Sequence, residues 1–248
     1  MTAVLLALGL LGAWEGYTRI SGIDEFVLPA PSAVISALHD DRALLWSNFT
    51  VTAAEIGLGI LVALVLGLAC AVAIHFSAGL RRALYPLLIG SQTIPVVLIA
   101  PLLVAWWGFD LTPKLAIVAL ICFFPIVVPT LDGLDRVDPD LRKLMRTFGA
   151  SRWQTFQMVE APAALPGLLT GAKVSVAVGA IGAILAEYAG SEAGLGNLML
   201  KAIPNFETAR AFAAVLILAA FTITLFGLLA FIGSRLLPWA NQPRGTAP

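Results

Sequence analysis

The sequence predicts an all-α fold: a polytopic transmembrane helical bundle of about six spans with a long cytoplasmic loop. Three observations predict it. Of the 248 residues, 59% are hydrophobic and only 12% are charged. A soluble domain carries about 25% charged residues, so these side chains are too few to coat the particle, and part of its solvent must be lipid. Mean hydropathy is +0.93. The apolar residues also run continuously instead of alternating, which argues against barrel strands of about 10 residues and for helices of about 20.

Six segments fit such helices, at about 1–19, 52–76, 84–107, 113–131, 165–186 and 211–234. In the first, no Lys or Arg precedes the apolar stretch Thr2 to Trp14, and Glu15-Gly16-Tyr17 follows it. It therefore reads as a retained, short first helix and not as a cleaved signal; its shortness points to a natural start further upstream. The third segment contains Pro86, Pro95 and Pro101, which remove backbone hydrogen bonds and permit kinks. Gly57-x-Gly59 in the second and Gly167-x3-Gly171 in the fifth suit close helix packing. Cys70 and Cys122 lie in apolar runs, without a CxxC or Cys/His pattern, and read as buried small hydrophobes. Residues 1–240 form one domain with no tandem repeat, and 241–248 form a polar, disordered tail.

Basic residues orient the chain. With the amino terminus inside, the cytoplasmic pieces hold Arg81, Arg82, Arg136, Arg142, Lys143, Arg146, Arg152, Arg235 and Arg244. The outer pieces hold Arg19, Arg42, Lys114, Lys201 and Arg210. The outer segment 20–51 contains Leu28-Pro29-Ala30-Pro31-Ser32, an extended or kinked stretch in which Ser32 is a candidate helix cap. The net charge of +0 argues against a nucleic-acid partner, which would need a basic surplus.

The main cytoplasmic loop, about 136–164, reads as two short helices. Asp138 caps the first, with Pro139 at its first position, and Gly149 ends it. Ser151 caps the second, which carries Trp153, Phe156 and Gln157 at helical spacing, and Pro162 and Pro166 stop it before the fifth span. Exposed aromatics beside Arg152 suit docking into a partner's groove and equally suit a helix lying among lipid headgroups.

This loop resembles the signature loop of bacterial ABC importer permeases, in which Glu-Ala-Ala, three residues and a Gly precede a coupling helix and a Leu-Pro ending. Arg146-Thr147 and Gly149 match the lead-in and the Gly, and Ala163-Ala164-Leu165-Pro166 match the ending. Lys143-Leu144-Met145 stand where the family has Glu-Ala-Ala, so its acidic contact is not carried over. Ordered matches continue along the chain: Leu28-Pro29-Ala30-Pro31-Ser32, Ile94-Pro95, Ala100-Pro101-Leu102, Trp107-Gly108, Phe123-Phe124-Pro125, and Gly190-Ser191-Glu192-Ala193-Gly194-Leu195-Gly196. They are similar to the branch of nitrate, sulfonate, taurine and thiamine-pyrimidine-precursor permeases. Gly182 to Glu187, Phe212-Ala213-Ala214 and Leu237-Pro238-Trp239 are closer to its pyrimidine-precursor and riboflavin group. The resemblance implies a multi-pass protein of the bacterial inner membrane that performs no covalent chemistry and binds no cofactor. Its partners would be ATPase subunits, which bind the ATP, an extracytoplasmic solute-binding protein, and a second copy of itself. It further implies that Arg146, Gly149, Ala150, Ser151, Arg152, Trp153, Phe156 and Pro166 dock the ATPase subunit.

Ionisable groups within apolar runs are costly and often functional. Glu55 near the outer end of the second span, and Glu187 at the end of the fifth, are candidates for a translocation path. Both also read as interfacial carboxylates. Gln92, Thr93 and Pro95 complete the path candidates, because non-ideal helix is where such paths form. Lys173 reads as snorkelling to the cytoplasmic surface, and His39 and His75 as structural. No phosphate-cradling Gly-x4-Gly-Lys-Ser/Thr occurs. A stand-alone secondary transporter is the rival reading, but it needs an ion-coupling site and usually internal repeats. A membrane enzyme ranks last, since neither HExxH nor a nucleophile elbow is present.

Overall fold

A computed structural model describes residues 2–241, so the expected tail falls almost wholly outside the described residues. Helices stand at all six expected places. They are α1 (Thr2–Ser21), α3 (Arg42–Phe76), the pair α4 (Ala78–Ser91) and α5 (Val96–Trp107), α6 (Leu111–Asp135), α8 (Arg152–Ala189) and α10 (Thr208–Leu236). Between them lie α2 (Pro31–Asp40), α7 (Pro139–Thr147) and α9 (Leu195–Ala202).

Among the described residues, α3, α6, α8 and α10 are long and apolar enough to cross a membrane. The pair α4 and α5 makes a fifth span if counted as one. The expected third span is broken: its halves meet at 100° around residues 92–95. Pro95 sets this break, since it has no N–H to donate and drives its neighbour out of the α region. The first helix is not among the spans, because Glu15 and Arg19 charge its last third.

Three other expectations change. The outer segment 20–51 is mostly helical, with α3 beginning ten residues before the expected 52. At about 1.5 Å per residue, its 35 residues exceed a roughly 30 Å bilayer core. Ser32 does not cap α2, whose cap position is Ala30. Instead the Glu15 carboxylate reaches across from α1 and accepts from the Ser32 N–H (3.0 Å) and hydroxyl (2.8 Å), placing an anion at the start of α2. Pro162 and Pro166 do not stop a helix either. Residues 152–189 stay helical through a π-helical turn at Phe156–Glu160, where the Ala161 N–H reaches the Phe156 carbonyl.

The core is a sandwich of α6 between α3 and α8: Ile56, Ile60 and Ala63 meet Val118, Cys122 and Ile126, then Val176, Ala180 and Ala183. A side chain on Gly167 would strike the Pro129 carbonyl, and one on Gly171 the Pro125 carbonyl, so the backbones of α8 and α6 touch. Gly59 likewise lies against Val118, whereas Gly57 faces open space. Small-residue packing therefore holds for Gly59, Gly167 and Gly171, but not for Gly57. Gly171→Val should destabilise the protein by about 3 kcal/mol through overpacking. Gly57→Val should stay within about 0.5 kcal/mol. Thermal unfolding in detergent checks the contrast.

Candidate functional site

The cytoplasmic loop is built from strong local signals. Asp138 caps α7 by accepting from the Asp140 N–H at 2.8 Å. At the other end Gly149 adopts φ +76°, which a side chain would disfavour. Its N–H donates to the Arg146 carbonyl (2.9 Å) and the Ala150 N–H to that of Met145 (3.0 Å), a Schellman closure. Two residues on, the Ser151 hydroxyl accepts from the Gln154 N–H (3.2 Å) and the Gln154 side chain accepts from the Ser151 N–H (2.7 Å), a capping box. The turn between α7 and α8 is thus fixed by its own residues.

Glu160 clamps this turn to the bundle. Its buried carboxylate accepts from Arg142 Nε at 2.7 Å and lies 2.8 Å from His75 Nε2, while Arg142 also donates to the Leu134 carbonyl at 2.6 Å. Phe156, expected to be exposed for docking, is buried with Leu134 and Ala164 and packs on Phe76 and Trp153. It anchors α8 to the body through these contacts. Pro166 is half-buried within α8, away from the exposed turn. Arg146, Gly149, Ser151, Arg152 and Trp153 are exposed, and Ala150 is half-exposed. Arg152 stacks on the Phe76 ring at 4.8 Å.

The sequence reading missed the apolar edge of this surface. No residue of α7 is buried, and Leu141, Leu144 and Phe148 are 41, 49 and 78% exposed. Their i, i+3, i+7 spacing was the available signal. Arg142, Arg146, Ala150, Arg152, Thr155, His75 and Glu160 line a cleft of about 420 Å³ beside it.

The outer ends of α3, α6 and α8 hold a second polar cluster. Lys114 Nζ donates to Glu55 at 2.9 Å and to the Ser191 hydroxyl at 2.6 Å; Ser191 in turn donates to the Ala193 carbonyl at 2.5 Å. Glu187 accepts from the Thr52 hydroxyl (2.5 Å) and from the N–H groups of Gly196 (2.6 Å) and Asn197 (3.1 Å), which caps α9. Asn48 accepts from the Gly194 N–H at 2.8 Å and Thr52 from that of Leu195. Glu55 is 0% and Glu187 1% exposed. Neither lies at a solvated interface, nor does either face an open path within the single chain. Sequence reading counted Lys114 among the outer basic residues, at the edge of the span 113–131, and did not pair it with Glu55, although an embedded Glu55 calls for a cation. Of the path candidates, Gln92, Thr93 and Pro95 are exposed at the break between α4 and α5. Lys173 is half-buried.

Residues 59–238 match the family described as "Binding-protein-dependent transport system inner membrane component". The chain belongs to this family. Among its relatives, the formylaminopyrimidine transport permease protein ThiX of Halalkalibacterium halodurans is 34% identical over 239 residues, 96% of this chain and 95% of ThiX. The riboflavin transport system permease protein RibX of Chloroflexus aurantiacus is 34% identical over 232 residues, 93% of this chain and 87% of RibX. The fold is similar to that of the methionine ABC transporter MetNI in an inward-facing conformation, with a TM-score of 0.67 at 19% identity, covering 82% of this chain and 99% of that one. This ABC importer permease is therefore a multi-pass inner-membrane subunit that works with a solute-binding protein and leaves ATP hydrolysis to a separate subunit.

In the permease's outer cluster, Lys114 is the hydrogen-bonded partner of the buried Glu55 carboxylate. Lys114→Met should cost about 3–5 kcal/mol by leaving the Glu55 carboxylate buried without its partner, and Glu55→Gln combined with Lys114→Met should restore most of that. Thermal unfolding of the four proteins of the cycle measures it. Glu187→Ala should speed amide hydrogen exchange at Gly196 and Asn197 while leaving the α6 core protected.

Proposed function

We propose that the chain is half of an importer channel for a small polar solute of the pyrimidine-precursor or riboflavin type. ThiX and RibX, by their names, carry such compounds. Two copies would surround the path. The ATPase subunit would dock on the surface formed by Leu141, Leu144, Arg146, Phe148, Gly149, Ala150, Ser151, Arg152 and Trp153. The observation that carries this reading is α7 itself: a rigidly capped helix with an apolar stripe and no buried residue. A contiguous exposed apolar stripe of this kind marks a surface for a partner.

Transmission would run along α8. It begins at the docking turn and continues for 38 residues, about 57 Å, and its last turn carries Glu187, which holds α9. Movement of the docked turn would tilt this helix and shift the outer cluster, giving alternating access. Gln92 and Thr93, beside the uncapped start of α5, would line the path.

Phe148→Asp should abolish co-purification of the ATP-hydrolysing subunit while leaving the permease folded. Proteoliposomes holding the intact complex and its binding protein should accumulate labelled formylaminopyrimidine or riboflavin on ATP addition, at least ten-fold over taurine. Preferential taurine uptake would move the substrate to the sulfonate group. Uptake without ATP by the chain alone would replace the reading with a secondary transporter.

A further inference from the structure

We propose that the cleft between α7 and the start of α8 receives a carboxylate side chain of the ATPase subunit, so that docking is charge-complementary with the permease as the basic partner. This rests on the docking reading above and adds the chemistry of the contact. Three guanidinium groups, Arg142, Arg146 and Arg152, line the cleft of about 420 Å³. The carboxylates of the turn are already engaged: Glu160 by Arg142 and His75, Asp138 by the Asp140 N–H, and Asp140 by Lys143 at 2.7 Å. Arg142 is held by Glu160 and the Leu134 carbonyl, and Arg152 by the His75 carbonyl and the Phe76 ring. Among the described residues, no hydrogen bond or ion pair holds the exposed Arg146 guanidinium.

Phe148 and Trp153 flank the cleft in sequence and are 78 and 54% exposed. A partner that covers them takes Arg146 out of water as well. An unpaired buried cation is strongly unfavourable, and truncating one member of a buried pair at an interface costs 2 kcal/mol or more, about 30-fold in affinity. The covering surface must therefore supply the anion. A carboxylate suits the guanidinium fork, which pairs with it through two parallel hydrogen bonds. An anionic lipid headgroup would satisfy the charge as well and is the competing outcome.

The test uses the wild-type permease in phosphatidylcholine nanodiscs with the ATP-hydrolysing subunit that co-purifies from native membranes. Arg146→Glu should weaken binding of that subunit at least about 30-fold. Arg82→Glu, the same charge change at an exposed arginine outside the cleft and outside the docking surface, should stay within about three-fold. The Arg146→Lys complex, treated with a zero-length carbodiimide, should give an amide between the new amine and an Asp or Glu of the ATPase subunit, located by peptide mass spectrometry. Unchanged binding by Arg146→Glu, or an intact Arg146→Lys complex without that amide, overturns the proposal. So does retention of anionic lipid that depends on Arg146 while subunit binding does not. If no ATP-hydrolysing chain binds the wild type, the docking reading itself fails, and the cleft proposal falls with it.

Discussion

The architecture depends on direct backbone contact between α6 and α8. Pro129 has no N–H, so the Pro125 carbonyl lacks its helical donor. Gly171 lies on that carbonyl, and Gly167 lies one turn away on the carbonyl of Pro129. Such a contact places Cα hydrogens against carbonyl oxygens, a weak but recurrent interaction between helices. Only glycine permits it, since any Cβ would sit inside the oxygen. Two turns on, the Cys122 thiol donates to the Ser175 carbonyl and the Ser175 hydroxyl to that of Cys122, each at 3.3 Å. The register of α8 on α6 is thereby set by backbone groups, which do not drift as apolar side chains can.

Both ends of the bundle inherit that register. Outside, it brings Glu187 to the start of α9 and Ser191 to Lys114, so that Glu55, Lys114 and Glu187 join elements far apart in sequence. Inside, it brings Glu160 to Arg142 and His75. Each end is therefore closed by a buried carboxylate on α8 with specific donors, and a buried charge that loses its donors is heavily penalised. Interactions of this type have few intermediate states: the donors are engaged or they are not. That discreteness suits a subunit which, on the reading proposed here, alternates between two arrangements.

What was legible in the sequence was local or periodic. The caps at Asp138 and Ser151 and the left-handed Gly149 follow from neighbours within six residues, and the helices follow from apolar runs of sufficient length. The small-residue pair in α8 carries its own spacing. What failed was what depends on distant partners or on helix phase. Lys114 is 59 residues from Glu55, and nothing near it distinguishes a buried ammonium from a loop cation. Phe156 follows Trp153 at helical spacing and looks equally exposed in sequence, yet it is buried against Phe76, a residue far away along the chain. The prolines of the loop marked a turn in sequence, yet Pro162 falls at the start of regular α-helix after the π-helical turn, where little must be broken.

The uncovered faces of the single chain carry the argument for a second copy. No residue in the most apolar window of α10 is buried, which lipid alone would satisfy. The break between α4 and α5 is different. Gln92, Thr93 and Pro95 are exposed there, and α5 begins without a side-chain cap, leaving its first N–H groups without side-chain acceptors. Hydrocarbon cannot solvate such groups, and irregular backbone persists within a membrane only when covered by protein or when lining water. One chain provides neither around this break. On the function proposed above, a second copy facing it would supply the cover, and the water that solvates Gln92 and Thr93 would be the water of the path.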